Sequence, residues 1–309
     1  MRYAVISDVH GNIAALEAVV ADAARSGASA FLFLGDYYGE LPYPCEVADC
    51  VRSLGGVAIL GNKEGYLQAL SKQNPAKWAD EQLAALYWSY RALRPDQLEY
   101  LKTLPPAIDH TIEGVRLRAS HQSRQFFSGT TLMRLGSRAY SLRQREQPYT
   151  RRDYLNYLEK VTREDPAFSE RLSALGGGIF AFGHSHIQWH LRAGDSLLVN
   201  PGSCGMPLDF DTRAPYTLLD LSNGKAEIEE RRVAYPIGRV IDELRASELL
   251  TVAPLWSELT IRHLVDARER VSFFLEAVED MAKKMNRPSR PYDNDVWRAA
   301  GGQWLAEND

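Results

Sequence analysis

The chain has 309 residues, 45% of them hydrophobic, enough for one large or two medium domains around a sizeable core, which excludes disordered and collagen-like classes. With 36 Lys+Arg against 40 Asp+Glu the net charge is −4, so there is no general attraction to nucleic acid or anionic membrane, and any basic footprint must be local. Apolar runs such as 179–182 fall far short of the roughly 20 residues of a membrane-spanning helix, which argues against an integral membrane protein.

In chain order, an apolar run at 3–6 precedes Ile13, Leu16, Val19, Val20 and Ala23 at helical spacing, with Gly27 where a helix would stop. A strand and then a helix are predicted. The cycle repeats with a strand at 31–34, a helix opened by Pro44 and running to Leu54, the Gly55-Gly56 break and a strand at 57–60. Such alternation predicts parallel pairing. After Asn62 a mostly helical stretch, about 64–105 and closed by Pro105-Pro106, reads as an insert. Strands at 107–112 and 115–120 flank the turn Glu113-Gly114, the second alternating Val115, Leu117 and Ala119 against Arg116 and Arg118. Residues 122–175 are polar and largely helical in pattern, crowding Arg134, Arg138, Arg143, Arg145, Arg151 and Arg152. A buried strand at 179–182 follows, then hairpins pairing 187–192 with 196–200 and 216–221 with 226–233. From Ile237 onward the pattern is amphipathic helix, so the expected organisation is a core over 1–235 and a helical C-terminal extension over 236–309.

The metal-capable side chains sit just past strand ends. Asp8 and His10 follow the first strand, Gly35-Asp36 the second and Gly61-Asn62 the third; Ser120-His121 and Gly183-His184-Ser185-His186 follow two later ones. In an open α/β sheet those ends converge on one crevice, and a glycine before the ligand lets the backbone turn sharply there. Alone, each residue reads as a turn cap or a satisfied histidine. Together, their oxygen and imidazole donors suffice for two ions.

On the blocks Asp8-Val9-His10, Gly35-Asp36, Gly61-Asn62, Ser120-His121 and Gly183-His184-Ser185-His186, with Asn200-Pro201-Gly202-Ser203 following, the chain resembles calcineurin-like metallophosphoesterases, particularly their compact bacterial phosphodiesterase branch, over about 1–235. The resemblance implies a four-layer α/β/β/α sandwich with a dinuclear centre at one edge. By carry-over, Asp8, His10, Asp36 and His186 would hold one ion, and Asp36, Asn62, His121 and His184 the other, with Asp36 bridging. Two divalent ions are expected, Mn²⁺ first, although Fe, Zn, Ni or Co suit the same donors. The implied activity is hydrolysis of a phosphodiester, a small molecule or nucleotide, by in-line attack of a metal-bridging hydroxide. Asp36, Asn62, His121 and Lys63 would carry the catalysis.

The sequence departs from the family pattern at two places. The family's G-N-H-[DE] block reads Gly61-Asn62-Lys63-Glu64, so Lys63 stands where a histidine stabilises or protonates the leaving oxygen. A protonated lysine offers charge but is a poorer proton donor than imidazole. Where many relatives place another acid or histidine soon after G-D, this chain has Tyr37-Tyr38-Gly39-Glu40. Arg124, close to His121, is the expected phosphate contact. The arginine run reads as a solvated helix face, with polynucleotide binding as the rival. Trp78, Tyr87, Trp88 and Tyr90 read as packing rather than base stacking, Trp256, Trp297 and Trp304 as docking of the extension, and His110, His190 and His263 as structural or surface residues. Alternatives to a phosphodiesterase are a phosphomonoesterase or protein phosphatase, a metal-binding regulator with weak turnover, and a nuclease. Three cysteines, Cys45, Cys50 and Cys204, without a C-x-x-C pattern indicate neither a disulfide framework nor a sulfur-bound zinc. The opening MRYAVISDVHGN lacks the apolar stretch of a secretory signal, so the expected compartment is the cytoplasm.

Overall fold

Residue-by-residue alternation in the strands builds the layers of the protein. In the computed structural model, which describes residues 1–146 and 148–308 apart from the side chains of 145 and 146, β1 spans Arg2–Ile6. Its Ala4 and Ile6 enter one hydrophobic cluster, while Tyr3 and Val5 enter another on the opposite face. That period of two makes a strand buried on both sides. One sheet has the order β10-β9-β1-β2-β3, with β2 at Ala30–Phe33, β3 at Val57–Ala58, β9 at Ala214–Ser222 and β10 at Lys225–Val233. β1, β2 and β3 run parallel, in the register Tyr3↔Ala30, and β9 pairs antiparallel with both β1 and β10. The second sheet has the order β4-β5-β6-β8-β7, with β4 at Ala107–Ile112, β5 at Val115–Ser120, β6 at Gly178–Ala181, β7 at Gln188–Ala193 and β8 at Ser196–Pro201. Here β5, β6 and β8 are parallel and the outer pairs are hairpins.

Val5, Leu32 and Leu219 of the first sheet meet Leu117, Ile179 and Val199 of the second in one buried cluster, so the sheets pack face to face. Helices Ile13–Arg25 and Pro44–Leu54 cover the outer face of the first sheet, and Phe180 and Phe182 turn the outer face of the second toward helices Arg151–Arg163 and Pro166–Leu175. The result is the α/β/β/α sandwich, with many added helices including a C-terminal helical region. None of the helices among the described residues is long and apolar enough to cross a membrane.

Three local expectations change in the structure. The third strand ends at Ala58: the Ile59 N–H still donates to Phe33 O at 3.1 Å, but the Leu60 N–H turns to Pro105 O at 2.9 Å and leaves the sheet. Arg118, predicted to alternate outward, is 1% exposed, because its guanidinium donates to Leu175 O at 2.5 Å and lies over the Phe180 ring, closing the end of helix Pro166–Leu175. Segment 122–175 is less polar than its composition suggests, since Phe127, Tyr140, Tyr154 and Phe168 bury one shared aromatic cluster. The extension begins with helix Ile237–Ala246, whose Val240, Ile241 and Leu244 join the outer cluster of the first sheet. Trp297 and Trp304 pack with Phe274 in a cluster of their own, and Trp256 Nε1 donates to Gln82 O at 2.8 Å, tying the extension to the 64–105 region.

Candidate metal centre

Parallel strands bring their following loops to one edge of the sandwich, and hydrogen bonds between those loops then fix them. The Asp8 N–H donates to Gly35 O at 3.0 Å and the His10 N–H to Asp36 O at 3.0 Å, joining the loops after β1 and β2. Asn200 donates to Gly183 O at 2.7 Å and to Ser185 Oγ at 2.9 Å, while Ser203 Oγ donates to Asp8 O at 2.7 Å. The Asn200-Pro201-Gly202-Ser203 block therefore braces the loops that carry Asp8 and His184. Close approach also requires two glycines. A Cβ on Gly61 would lie 2.1 Å from Asp36 Oδ1, and one on Gly183 would lie 2.0 Å from Ser7 Oγ and 2.7 Å from Asp8 Oδ2.

The backbone itself is unusual here. Asp8, His10, Asp36, His184 and His186 all have φ between 53° and 66°, and they are half of the ten non-glycine residues with positive φ among the described residues. Each such residue costs about 1 kcal/mol or more, so the concentration of left-handed backbone marks a site whose side-chain aim outweighs local preference.

The side chains converge. Asp8 Oδ1 lies 3.3 Å from His186 Nε2, 3.8 Å from His10 Nε2 and 3.9 Å from His121 Nε2. Asp36 Oδ2 is 3.4 Å from His121 Nε2, and Asn62 Oδ1 is 3.0 Å from the same nitrogen. Two groups, Asp8-His10-His186 and Asp8-Asp36-His121, each place their donor atoms within 4.8 Å of one another. The carboxylate common to both groups is Asp8, whereas the resemblance gave that place to Asp36, whose Oδ1 accepts the Lys63 N–H at 2.8 Å. His184 stands beside the cluster, its ring 5.2 Å from that of His121 and its N–H donating to Asp8 Oδ2 at 2.9 Å.

Three rings are held from behind. His10 Nδ1 donates to Glu40 Oε2 at 2.8 Å, His121 Nδ1 to Leu34 O at 2.8 Å and His186 Nδ1 to Met206 O at 2.7 Å. With a proton fixed on each Nδ1, the Nε2 lone pairs of the neutral rings face the cluster, as metal-bound histidines require. This donor set, buried and already oriented, fits divalent ions. Without ions the cluster retains protons. Burial favours the neutral ring, yet Glu40 and Asp8 outweigh it and push His10 up to about 10, and Asp36 and Asp8 push His121 up to about 9. Burial likewise resists the charge on Asp8, but His121 and His186 hold its carboxyl well below the usual range.

Two residues without a role in the sequence reading enter the site. Glu40 accepts from both His10 and the ammonium of Lys63, and although burial opposes its charge, Lys63 and His10 hold its carboxyl below the usual range. Glu64 accepts the N–H groups of Asp36, Tyr37 and Gly61 at 2.8, 2.9 and 2.8 Å, shaping the loop around Asp36. The departure Tyr37-Tyr38-Gly39-Glu40 was the signal for the first. Lys63 is charged: burial works against it, and Glu40 and Asp36 raise its pKa above the ordinary value.

Arg124 is exposed and lines the cavity above the cluster together with Arg134 and Arg138. The rest of the arginine run is dispersed: Arg151 pairs with Glu230, Arg143 lies over Tyr157, and the Arg145 side chain lies outside the described residues. His190 is exposed and pairs with Glu230, and His110 is exposed on β4. His263 is buried in the extension and lines the same cavity as the cluster. Trp78 stacks on Tyr87 with centroids 5.1 Å apart and meets Tyr90 edge-on, so these three rings of the insert pack on one another, while Trp88 Nε1 donates to Glu248 Oε2 at 3.1 Å.

Known proteins are similar to this chain in sequence and fold. An archaeal relative, the uncharacterized protein MJ0912 of Methanocaldococcus jannaschii, is 26% identical over 261 residues, covering 80% of this chain and 93% of its own. A crystal structure of a metallophosphoesterase from Sphaerobacter thermophilus has the same fold at 23% identity with a TM-score of 0.60, covering 86% of this chain and 100% of that one. The hypothetical protein PH1004 from Pyrococcus horikoshii OT3 matches at 20% identity and a TM-score of 0.62, over 87% and 99% of the two chains. The profile of the calcineurin-like phosphoesterase superfamily domain matches residues 1–224, and with the strand-end cluster of carboxylates and imidazoles in place, the chain belongs to that superfamily.

Proposed function

We propose that the protein is a dinuclear metal-dependent phosphodiesterase. The observation that supports this most is the convergence of His10, His121 and His186 Nε2 on Asp8 and Asp36, with each Nδ1 anchored behind. Asp8, His10, Asp36, Asn62, His121, His184 and His186 would hold the two ions; such oxygen and nitrogen donors accept Mn, Fe, Co, Ni or Zn, and Mn²⁺ is the first ion to test. Two bound divalent ions would supply Lewis-acid charge to the phosphate oxygens and activate the attacking water. Asp8 and Asp36 fix the floor of the site. Glu40 orients His10 and keeps Lys63 in place. Arg124, which lines the cavity and makes no hydrogen bond or ion pair with a described residue, would contact a non-bridging phosphate oxygen. Lys63, protonated and tied to Glu40, offers positive charge to the leaving oxygen rather than a proton. That arrangement suits esters whose leaving oxygen is already acidic.

Matched mono- and diester nitrophenyl phosphates, assayed with Mn²⁺ and then with excess chelator, test the reading. Metal-dependent hydrolysis that favours the diester supports it. Faster monoester turnover would make the protein a phosphomonoesterase, and no turnover of either ester would remove the enzymatic reading. The Lys63–Glu40 pair favours one rival, a metal-binding regulator with weak turnover, because the position usually given to a proton-donating histidine is closed by an ion pair. Lys63→His separates the two: a rise in kcat supports an enzyme limited at this position, whereas two inactive, metal-loaded forms support the regulator.

A further inference from the structure

Beyond the metal cluster, a cavity of about 730 Å³ rises between two segments that belong to neither sheet. One wall is the 124–142 segment, contributing Met133 and Leu142, and the other is the start of helix Val271–Lys284, contributing Val271 and Leu275. Apolar side chains that gather around a concave opening, unlike single ones scattered over a surface, mark ligand-binding grooves. Met133 at 42% and Leu142 at 39% are among the few large apolar side chains open to water among the described residues, and both line this cavity. The walls are fixed to each other. Ser137 Oγ donates to Glu269 Oε2 at 2.5 Å, Arg138 pairs with Glu276, and the Arg138 guanidinium lies 5.4 Å from the Phe273 ring centre. Cationic groups sit at the same opening: Arg124 and Arg134 line it, and neither makes a hydrogen bond or ion pair with a described residue.

We infer that this cavity selects a small phosphoester bearing an apolar aryl or alkyl group, with its phosphate toward the cluster and Arg124 and its apolar group between Leu142 and Leu275. The inference rests on the phosphoesterase reading and narrows it to a substrate class. Three observations carry it. The volume falls in the range of small-molecule sites. Unpaired arginines complement an anionic head. Apolar side chains on both walls, exposed at Met133 and Leu142 and half-buried at Val271 and Leu275, complement an apolar tail. The C-terminal extension would thus act in specificity as the second wall of the pocket.

Phenylphosphonate and methylphosphonate share a head group and differ only in the apolar part, so calorimetric titration of each into the Mn²⁺-loaded protein tests the inference. Burying the ring should make phenylphosphonate bind on the order of ten- to a hundredfold more tightly. Replacing Leu142→Ser and Leu275→Ser together should reduce that ratio to within about threefold while leaving methylphosphonate affinity unchanged. Equal affinities in the unaltered protein, absence of binding by either phosphonate, or a parallel loss of both ligands in the double variant would overturn it. Because binding is read without turnover, an inactive protein that still shows the phenyl preference would contradict the phosphoesterase reading and leave the selective pocket standing.

Discussion

Glu40→Gln is the most informative single change, because it preserves shape and removes only the charge that joins His10 to Lys63. The carboxylate is 9% exposed, with one oxygen 2.8 Å from His10 Nδ1 and the other on the ammonium of Lys63. A glutamine can accept from one of those donors, but its own NH2 then faces the other. Leaving one buried donor unmatched costs about 1–3 kcal/mol. For 309 residues, an unfolding entropy of about 2.1 cal/mol/K per residue makes 2 kcal/mol equivalent to about 3 °C in Tm. A larger effect is expected on the ions, since losing an outer partner of a ligating histidine typically weakens metal affinity about 10- to 100-fold. Thermal melts of the ion-free variant give the first quantity and calorimetric titration with Mn²⁺ gives the second. Unchanged Mn²⁺ affinity together with an unchanged Tm would refute the claim that Glu40 orients His10.

Gly183→Ala places a methyl 2.0 Å from Ser7 Oγ and 2.7 Å from Asp8 Oδ2, so Asp8 must shift by several tenths of an ångström. The expected result is a roughly 100-fold fall in kcat/KM with circular dichroism retained; full activity would show that the loop tolerates the displacement. In the ion-free protein His10 and His121 are pushed up to about 10 and about 9, above their ordinary value of 6.5. Their stabilisation is therefore complete below about pH 6.5 and is lost as pH rises through 9 to 10. Ions must displace those protons, so Mn²⁺ binding at pH 7.5 should release about two of them and tighten with pH. Calorimetry in buffers of different ionisation enthalpy measures this, and identical heats across buffers would contradict it. Asp36→Asn should weaken Mn²⁺ binding and abolish hydrolysis with the fold kept, as read by Mn²⁺ titration and circular dichroism; wild-type activity would remove Asp36 from the metal centre.

The layer order and the gathering of the metal-capable side chains were legible because strands buried on both faces, such as β1 and β6, appear as short apolar runs, and the polar residues after parallel strands gather at one edge. The left-handed backbone at Asp8, His10, Asp36, His184 and His186 was not legible, since aspartate and histidine adopt many conformations and only the assembled loops select this one. Glu40 escaped assignment because its partners lie 30 and 23 residues away, and only the loop pairing of His10 with Asp36 brings them together. The part of His263 and Glu269 in the cavity wall depends on how the extension docks through the 208–210 and 266–270 regions, where the Phe210 N–H donates to Ala267 O at 3.0 Å. No periodicity encodes such a contact between distant segments. The third strand ended early because the acceptor for Leu60, Pro105, arrives only at the far end of the insert.

Anomalous diffraction from crystals grown with Mn²⁺ tests the metal assignment most directly. Two peaks about 3.5–4 Å apart are expected, one contacted by His10 and His186 and the other by His121 and Asn62, with a carboxylate between them. A single peak elsewhere in the cavity, or full Mn²⁺ occupancy away from these side chains, would contradict the account.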